Sequence, residues 1–427
     1  MQQHKKWSFP SPRWKQTLYA TWIAELLALT GFSTSSPIIP FFLEDLGVKD
    51  SGQLKFYTGM VQSLPAIAMA VMAPLWGALA DRKGRKLMLL RAMFGGTILV
   101  ALQGLSQTPE QLLVFKTLQG AVTGTIAAAM VLVASISPEK ERAYALGLLQ
   151  MAVFLGNSLG PLVGGYISDS FGHRINFFIT AFLLFLGGCI VLWGTEDPFI
   201  SPQKQQTAPK GKRFFSLRSL PAPTLFTIIT LLAIVAIDQI AGSITAPFLP
   251  LFIKALSPDA SRVASDTGLI LGVGALTSSI AAVWIGKISY QVGYQRLLLG
   301  CLLGAACTTI PQALVTNRGQ LLVLRALSNF FLGGTMPTVN ALLTLYSPPE
   351  KQGSLYGIRS SVASIGAAVG PLLGSAIAIG IGFRGVFVAT GAILGGGALA
   401  LRWYVRGAQE RIRSSTEEKP EALPKKG

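Results

Sequence analysis

The chain has 427 residues, 51% of them hydrophobic and only 13% charged, about half the charged share of a soluble domain. That composition excludes an ordinary water-soluble enzyme and points to a protein dissolved in lipid. The net charge is +17, which in a soluble chain would suggest a nucleic-acid partner. Here its placement decides otherwise, as shown below.

Apolar segments follow one another along the chain near 17–42, 57–80, 87–106, 109–135, 143–168 and 175–195. A polar, basic, proline-rich stretch, 196–222, interrupts them. A second series then runs near 224–254, 266–289, 296–316, 319–346, 354–380 and 383–405. A span needs about 20 apolar residues, and in lipid each must satisfy its own backbone hydrogen bonds, so helices are expected. The predicted fold class is an all-α membrane protein with 12 transmembrane helices. Its expected domains are an N-terminal six-helix bundle (1–195), a cytosolic linker (196–222), a C-terminal six-helix bundle (223–407) and a cytosolic tail (408–427). The terminal sequence SSTEEKPEALPKKG is polar enough to be disordered.

The two series repeat. Pro37 and Pro40 match Pro247 and Pro250 at an offset of 210, and Lys116 matches Arg325 at 209. Gly156, Gly160 and Pro161 match Gly366, Gly370 and Pro371, again at 210. Glycine and proline are common in membrane helices, but frequency alone does not predict a shared register. Two like-oriented, pseudo-symmetric halves are a transporter architecture. With the N-terminus in the cytosol, 27 of the 36 Lys and Arg residues fall on the cytosolic side and 7 on the other, with Lys116 and Arg325 inside spans. This positive-inside bias accounts for the high net charge, so no nucleic-acid partner is expected.

Two acids lie well inside spans: Glu25 in TWIAELLALTGF and Asp238 in LAIVAIDQIAGS. Ionisable groups within a membrane are expensive and are functional candidates by default. In the repeat frame they are three residues apart, about one helical turn, which predicts that both face a central cavity at similar depth. A carboxyl held away from water can load a proton on one side and release it on the other. Glu25 is the expected main proton carrier, Asp238 the second, and Lys116 the nearby counter-charge. The plainer alternatives are a solvated Glu25 near the interface and an Asp238 that serves packing alone.

Cys189, Cys301 and Cys307 sit in apolar runs, and His4 and His173 lie far apart. Neither a disulfide framework nor a metal site is expected, and no cofactor is implied. No Gly-x-x-x-x-Gly-Lys-Ser/Thr phosphate loop is present: the Gly-Lys pairs are followed by Arg213 and Ile288. An ATP-driven pump and an enzyme are therefore both poor readings.

The stretch WGALADRKGRKLMLL packs five charges between two apolar spans. Its residues Gly77, Leu79, Ala80, Asp81, Arg82, Gly84, Arg85 and Lys86 resemble the loop 2–3 signature of the major facilitator superfamily. Gly156, Gly160, Pro161, Gly164 and Gly165 in span 5 resemble the motif of that superfamily's drug:proton antiporters. Lys116 and Gly120 are similar to its Arg-x-x-x-Gly element in span 4, with Lys in place of Arg. The resemblance covers nearly the whole chain. It implies that Gly77 lets helix 2 lie close to a neighbour, and that Asp81 with Arg82 and Arg85 latches one half to the other. A topology anchor is the simpler role for Arg85 and Lys86. The second half keeps Gly286 but has Tyr290 and Gln291 near the Asp81 position, so a second latch is not expected. Small residues four apart bring helices together, and Pro161 and Pro371, with Gly370, are expected to bend spans 5 and 11.

Polar or aromatic residues on the inner helices are candidates for the substrate cavity: Thr30, Phe32, Gln119, Gln150, Asn157, Gln239, Asn329 and Asn340. Each could equally be glue between helices. The expected function is a secondary active transporter that exchanges protons for drugs or other amphiphilic small molecules by alternating access. A monomer in the bilayer of a bacterial plasma (inner) membrane is expected, multi-pass, with both termini cytosolic by the charge bias of the loops. The alternatives are a sugar or organic-acid transporter of the same superfamily and a non-transporting membrane receptor or scaffold.

Overall fold

The computed structural model describes residues 13–138, 141–196, 222–256, 262–346 and 352–417, and these are helices joined by short turns. The first span is α1 (Arg13–Ser35) and α2 (Ile39–Asp45), broken by a 3₁₀ turn at Ser36–Ile38. Its repeat mate is α9 (Ala222–Thr245) and α10 (Leu249–Leu256). Pro37 and Pro247 fall in these breaks, where a residue without an N–H costs least.

The next spans are joined by single glycines. α3 (Ser51–Lys83) meets α4 (Arg85–Gly104) at Gly84, and α11 (Val263–Val292) meets α12 (Tyr294–Thr309) at Gly293. α7 (Arg142–Phe171) meets α8 (His173–Gly194) at Gly172, and α14 (Gln352–Glu417) holds two helices joined at Gly382. The φ angles at these four glycines are 98, 93, 85 and 78°. Only glycine adopts them without strain, so the one-residue turns are written into the sequence twice, in register.

The fourth span departs from the expected single helix. It is α5 (Pro109–Val122) and α6 (Thr125–Ile136), separated at Gly124 with φ 120°. Its counterpart α13 (Arg318–Tyr346) is unbroken. Among the described residues, ten helical stretches are long and apolar enough to cross a membrane; one of them, Ile358–Trp403, contains the Gly382 turn and so counts as two. α13 is less apolar, but its 29 residues reach about 43 Å. Counted with α13, these stretches are compatible with twelve spans. The linker 197–221 and the tail 418–427 lie outside the described residues. The helix of α14 runs on to Glu417, so the first four residues of the stretch expected to be disordered are helical.

The packing is duplicated as well. A Cβ at Gly156, Gly160 or Gly164 of α7 would meet Leu29, Ser33 or Thr34 of α1 within 2.4–2.6 Å. A Cβ at Gly366, Gly370 or Gly374 of α14 would meet Gln239, Ser243 or Ile244 of α9 within 2.5–2.9 Å. Each contact moves by 210 positions on both sides. Glycine at these sites lets the backbones approach to a distance that any side chain would forbid. Both α7 and α14 stay helical through Pro161 and Pro371.

The halves meet where α7 crosses α11 and α3 crosses α14. These crossings are tight only at one end. There a Cβ on Gly268 would lie 2.1 Å from the Pro161 carbonyl, and one on Gly165 would lie 2.3 Å from that of Ala264. At the other end, near Gly84 and Gly293, a Cβ on Gly77 or Gly286 would meet nothing within 4 Å. The molecule is therefore sealed at the Gly172 end and open at the Gly84 end. In this conformation Gly77 packs against no neighbour, unlike the close approach expected of it.

Candidate functional site

Between the halves lies a cavity of ≈ 360 Å³. The first half contributes Ser33, Ser36 and Asn157, and the second contributes Ser278, Ser279, Asn329 and Arg325. Phe154 and Leu271 supply apolar wall. The break between α1 and α2 presents Ser36 and Pro37 at its sealed side. Ser33 Oγ donates to Asn157 Oδ1 at 2.8 Å, tying α1 to α7 at the cavity edge.

Asn157 and Asn329 are the two of the eight expected cavity residues that line it. The Thr30 backbone nitrogen packs against Gly156 and the Gln239 side chain lies against Gly366, and neither residue lines the cavity. Phe32 points into the first bundle beside Gly96. Gln119 is buried there and accepts a hydrogen bond from Gln103 Nε2 at 2.9 Å. Gln150 and Asn340 are not in the cavity wall. For Gln239 the physical reason is the glycine stripe of α14, which takes up this side chain in helix packing.

Neither acid lines the cavity. Glu25 is wholly buried, at 0% exposure. Its Oε1 accepts a hydrogen bond from Thr125 Oγ1 at 3.0 Å, and its buried Oε2 has no partner. A solvated Glu25 is thus not what this conformation contains. Asp238 is half-buried, and its Oδ1 accepts from Thr335 Oγ1 at 2.7 Å. The break at Gly124 starts α6 at the depth of Glu25, which puts Thr125 beside the carboxyl. Lys116 lies nine residues earlier, about 13 Å along the span, and forms no ion pair with either acid. The charge that acts on Asp238 is Arg359 of α14, whose Nη2 also contacts Met336 Sδ at 3.1 Å.

The sealed end is held by polar contacts across the halves. The Asp169 carboxylate, near the end of α7, accepts from the Ala264 and Ser265 N–H groups at 3.2 and 2.7 Å. Those are the first-turn amides of α11, orphaned in any helix and carrying its positive dipole end. Ser375 Oγ donates to the Lys55 carbonyl at 2.9 Å, and Lys254 Nζ donates to Glu44 at 2.5 Å.

At the open end the Asp81 side chain lies outside the described residues, and Arg82 is exposed. Arg85 is half-buried. Lys86 has a role of its own. Its Nζ donates to the Leu192 and Thr195 carbonyls at 2.7 and 2.6 Å, capping the C-terminus of α8 within the first bundle.

The chain matches the family model of the Major Facilitator Superfamily over residues 21–315 and 231–426. It belongs to the Major Facilitator Superfamily. It is similar to the multidrug resistance protein MdtG of Yersinia enterocolitica, with 35% identity covering 93% of this chain and 94% of that protein. The MdtG of Proteus mirabilis is 34% identical, covering 89% and 94%. Solved structures share the fold at low identity. A bacterial homologue of the human lysosomal transporter Spinster, inward-facing and occupied, has a TM-score of 0.73 at 18% identity, covering 93% of this chain and 98% of that one. The nucleoside transporter NupG has a TM-score of 0.74 at 13% identity, covering 91% and 99%.

As a major facilitator protein the chain is a multi-pass membrane transporter of small molecules. Several of its site residues were missed in the sequence. Thr125 and Thr335 were visible as an offset-210 pair but were hidden among many threonines. Arg325 is a repeat landmark in the sequence, and nothing in its spacing marks it as cavity wall. Asp169 gave no signal, because its partner is a backbone in the other half.

Proposed function

We propose that this major facilitator protein is a proton-coupled efflux antiporter for drugs or other amphiphilic small molecules. The observation that carries the reading is the cavity between the halves, open at one end and sealed at the other by contacts that a rocking motion breaks. The resistance function in the names of the MdtG relatives supports the choice of substrate class. The charge bias of the loops supports a cytosolic open end in a bacterium, with both termini on that side. A monomer suffices for this reading, because the cavity is lined by the two halves of one chain.

In the proposed cycle, substrate enters from the open end. The halves then rock about the α7–α11 and α3–α14 crossings. The Asp169, Ser375 and Lys254 contacts separate, and the helix-2 ends close over Gly77 and Gly286. Glu25 and Asp238 lie inside the two moving bundles rather than in the pathway. Protonation there changes the charge buried in each bundle, which biases the packing of α1 on α6 and of α9 on α13. Substrate and proton then compete through conformation and need not share a binding site.

Inverted membrane vesicles test this. Expression of the chain should produce proton-gradient-driven uptake of a drug such as ethidium, abolished by an uncoupler. A compound-susceptibility screen with unchanged profiles, together with vesicles that show no gradient-driven uptake, would overturn the proposal.

A further inference from the structure

Arg325 is 7% exposed and forms part of the cavity wall. Its hydrogen bond is a long one, Nη1 to Thr245 Oγ1 at 3.4 Å, and its buried Nε has no partner. Among the described residues it forms no ion pair, and the cavity wall contains neither Asp nor Glu. The acids inside the spans are bonded elsewhere, Glu25 to Thr125 and Asp238 to Thr335. A guanidinium at membrane depth without a counter-ion is expensive. Its planar fork of donors suits an oxyanion better than any neutral group.

The rest of the wall is arranged to help. Asn157 uses its Oδ1 to accept from Ser33, which leaves its Nδ2 to donate into the cavity. Ser36 and Ser278 add hydroxyls, while Phe154 and Leu271 offer apolar contact. The repeat mate of Arg325 is Lys116, which does not line the cavity. The cation is therefore placed in the cavity by one half only, as a ligand site would be and a duplicated packing feature would not.

We infer that the central cavity holds an oxyanion subsite with Arg325 as its charged donor. The ligand is an amphiphile whose apolar tail carries a carboxylate, phosphonate or sulfonate head. This deepens the proposed export function and rests on it only for the direction of movement; binding stands on the cavity alone.

Equilibrium binding to the full chain in lipid nanodiscs tests the inference, with empty nanodiscs as the blank. The probes are decanoate, decylphosphonate and decyltrimethylammonium, which share a tail and differ in head charge. Wild-type protein should bind the two anions more tightly than the cation. Arg325→Gln should weaken decanoate at least about tenfold, the scale of one charge-assisted hydrogen bond, and leave the cation unchanged or tighter. Arg325→Lys should keep the anion preference and lose part of the affinity. Equal losses for both head groups, or a wild-type preference for the cation, would overturn the subsite, and the second result needs no variant to fold. Butyrate binding as tightly as decanoate, with inorganic phosphate displacing both, would show a site for free anions and overturn the amphiphile. If anions bind but vesicles show no proton-driven export, the transport reading fails and the subsite stands.

Discussion

Thr125 holds Glu25 by a 3.0 Å hydrogen bond between α6 and α1, and the same bond recurs in the second half of the molecule. There Thr335, 210 positions later, donates to Asp238 at 2.7 Å. The threonines coincide in the repeat, whereas the acids are displaced by three residues. A glutamate carries one more methylene than an aspartate, so the longer side chain reaches the same hydroxyl from almost a turn away. The duplicated element is thus a hydroxyl that receives a carboxyl from the first helix of each bundle.

That arrangement predicts how the acids can be neutralised. Glu25→Gln and Asp238→Asn keep an oxygen to accept from the threonine, so both variants should fold with little loss of thermal stability. Proton-driven drug uptake into inverted vesicles should fall strongly in each and vanish in the pair, while counterflow of substrate without a gradient should survive. Full gradient-driven uptake by the double variant would remove these acids from the coupling mechanism.

The threonines can be tested without touching the acids. Thr125→Val keeps the shape and removes the donor, leaving a fully buried carboxyl with no hydrogen bond to either oxygen. The cost should be about 1–3 kcal/mol, read as a lower unfolding temperature in detergent. Combining it with Glu25→Gln should give much less than the sum of the two effects, because the residues form one unit. Additive losses would mean the bond contributes nothing of its own.

The span pattern was legible because lipid leaves few options: a segment such as 175–195 must be helix, as His173–Gly194 is, and its loop charges must stay outside. The duplicated glycines Gly156, Gly160, Gly366 and Gly370 were legible because they sit at close helix crossings, where a side chain would collide with the neighbouring helix. The cavity was not. A helix has several faces, and the sequence does not say which one turns inward until a neighbour is placed. Gln239 and Ser33 show the difficulty: both pack against a glycine of the neighbouring helix, Gly366 and Gly160, yet only Ser33 also reaches the cavity. The break at Gly124 was equally hidden, because glycine occurs both within membrane helices and at their interruptions.

Asp169 and Glu44 both reach across the sealed end, yet they should differ in weight. Glu44 pairs with Lys254 where both side chains are partly exposed, and such pairs contribute about 0–1 kcal/mol. Asp169 accepts two backbone N–H groups at the positive end of α11, worth about 1.5–3 kcal/mol when the acceptor is charged. Asp169→Ala should shift the population away from the sealed state by roughly tenfold or more. Glu44→Gln should shift it less than about fivefold. Spin labels on Lys49→Cys and Arg384→Cys in a cysteine-free background would report the distance across this end. Equal effects of the two substitutions would contradict the assignment of Asp169 as the main fastening.

The same label pair separates the glycines by sign. Gly268→Ala puts a methyl 2.1 Å from the Pro161 carbonyl, and backbone atoms cannot yield as a flexible side chain would. The sealed end should open, and the label distance should lengthen. Gly77→Ala and Gly286→Ala add a methyl where nothing lies within 4 Å, so they cost this conformation almost nothing. If the opposite conformation brings these helix ends together, the added methyls obstruct that state alone, and the population moves further toward the sealed one. Export should fall in all three variants for opposite reasons: Gly268→Ala cannot close the pathway at one end, and the other two cannot close it at the other. Lengthening of the label distance by Gly77→Ala would show that the two ends do not alternate.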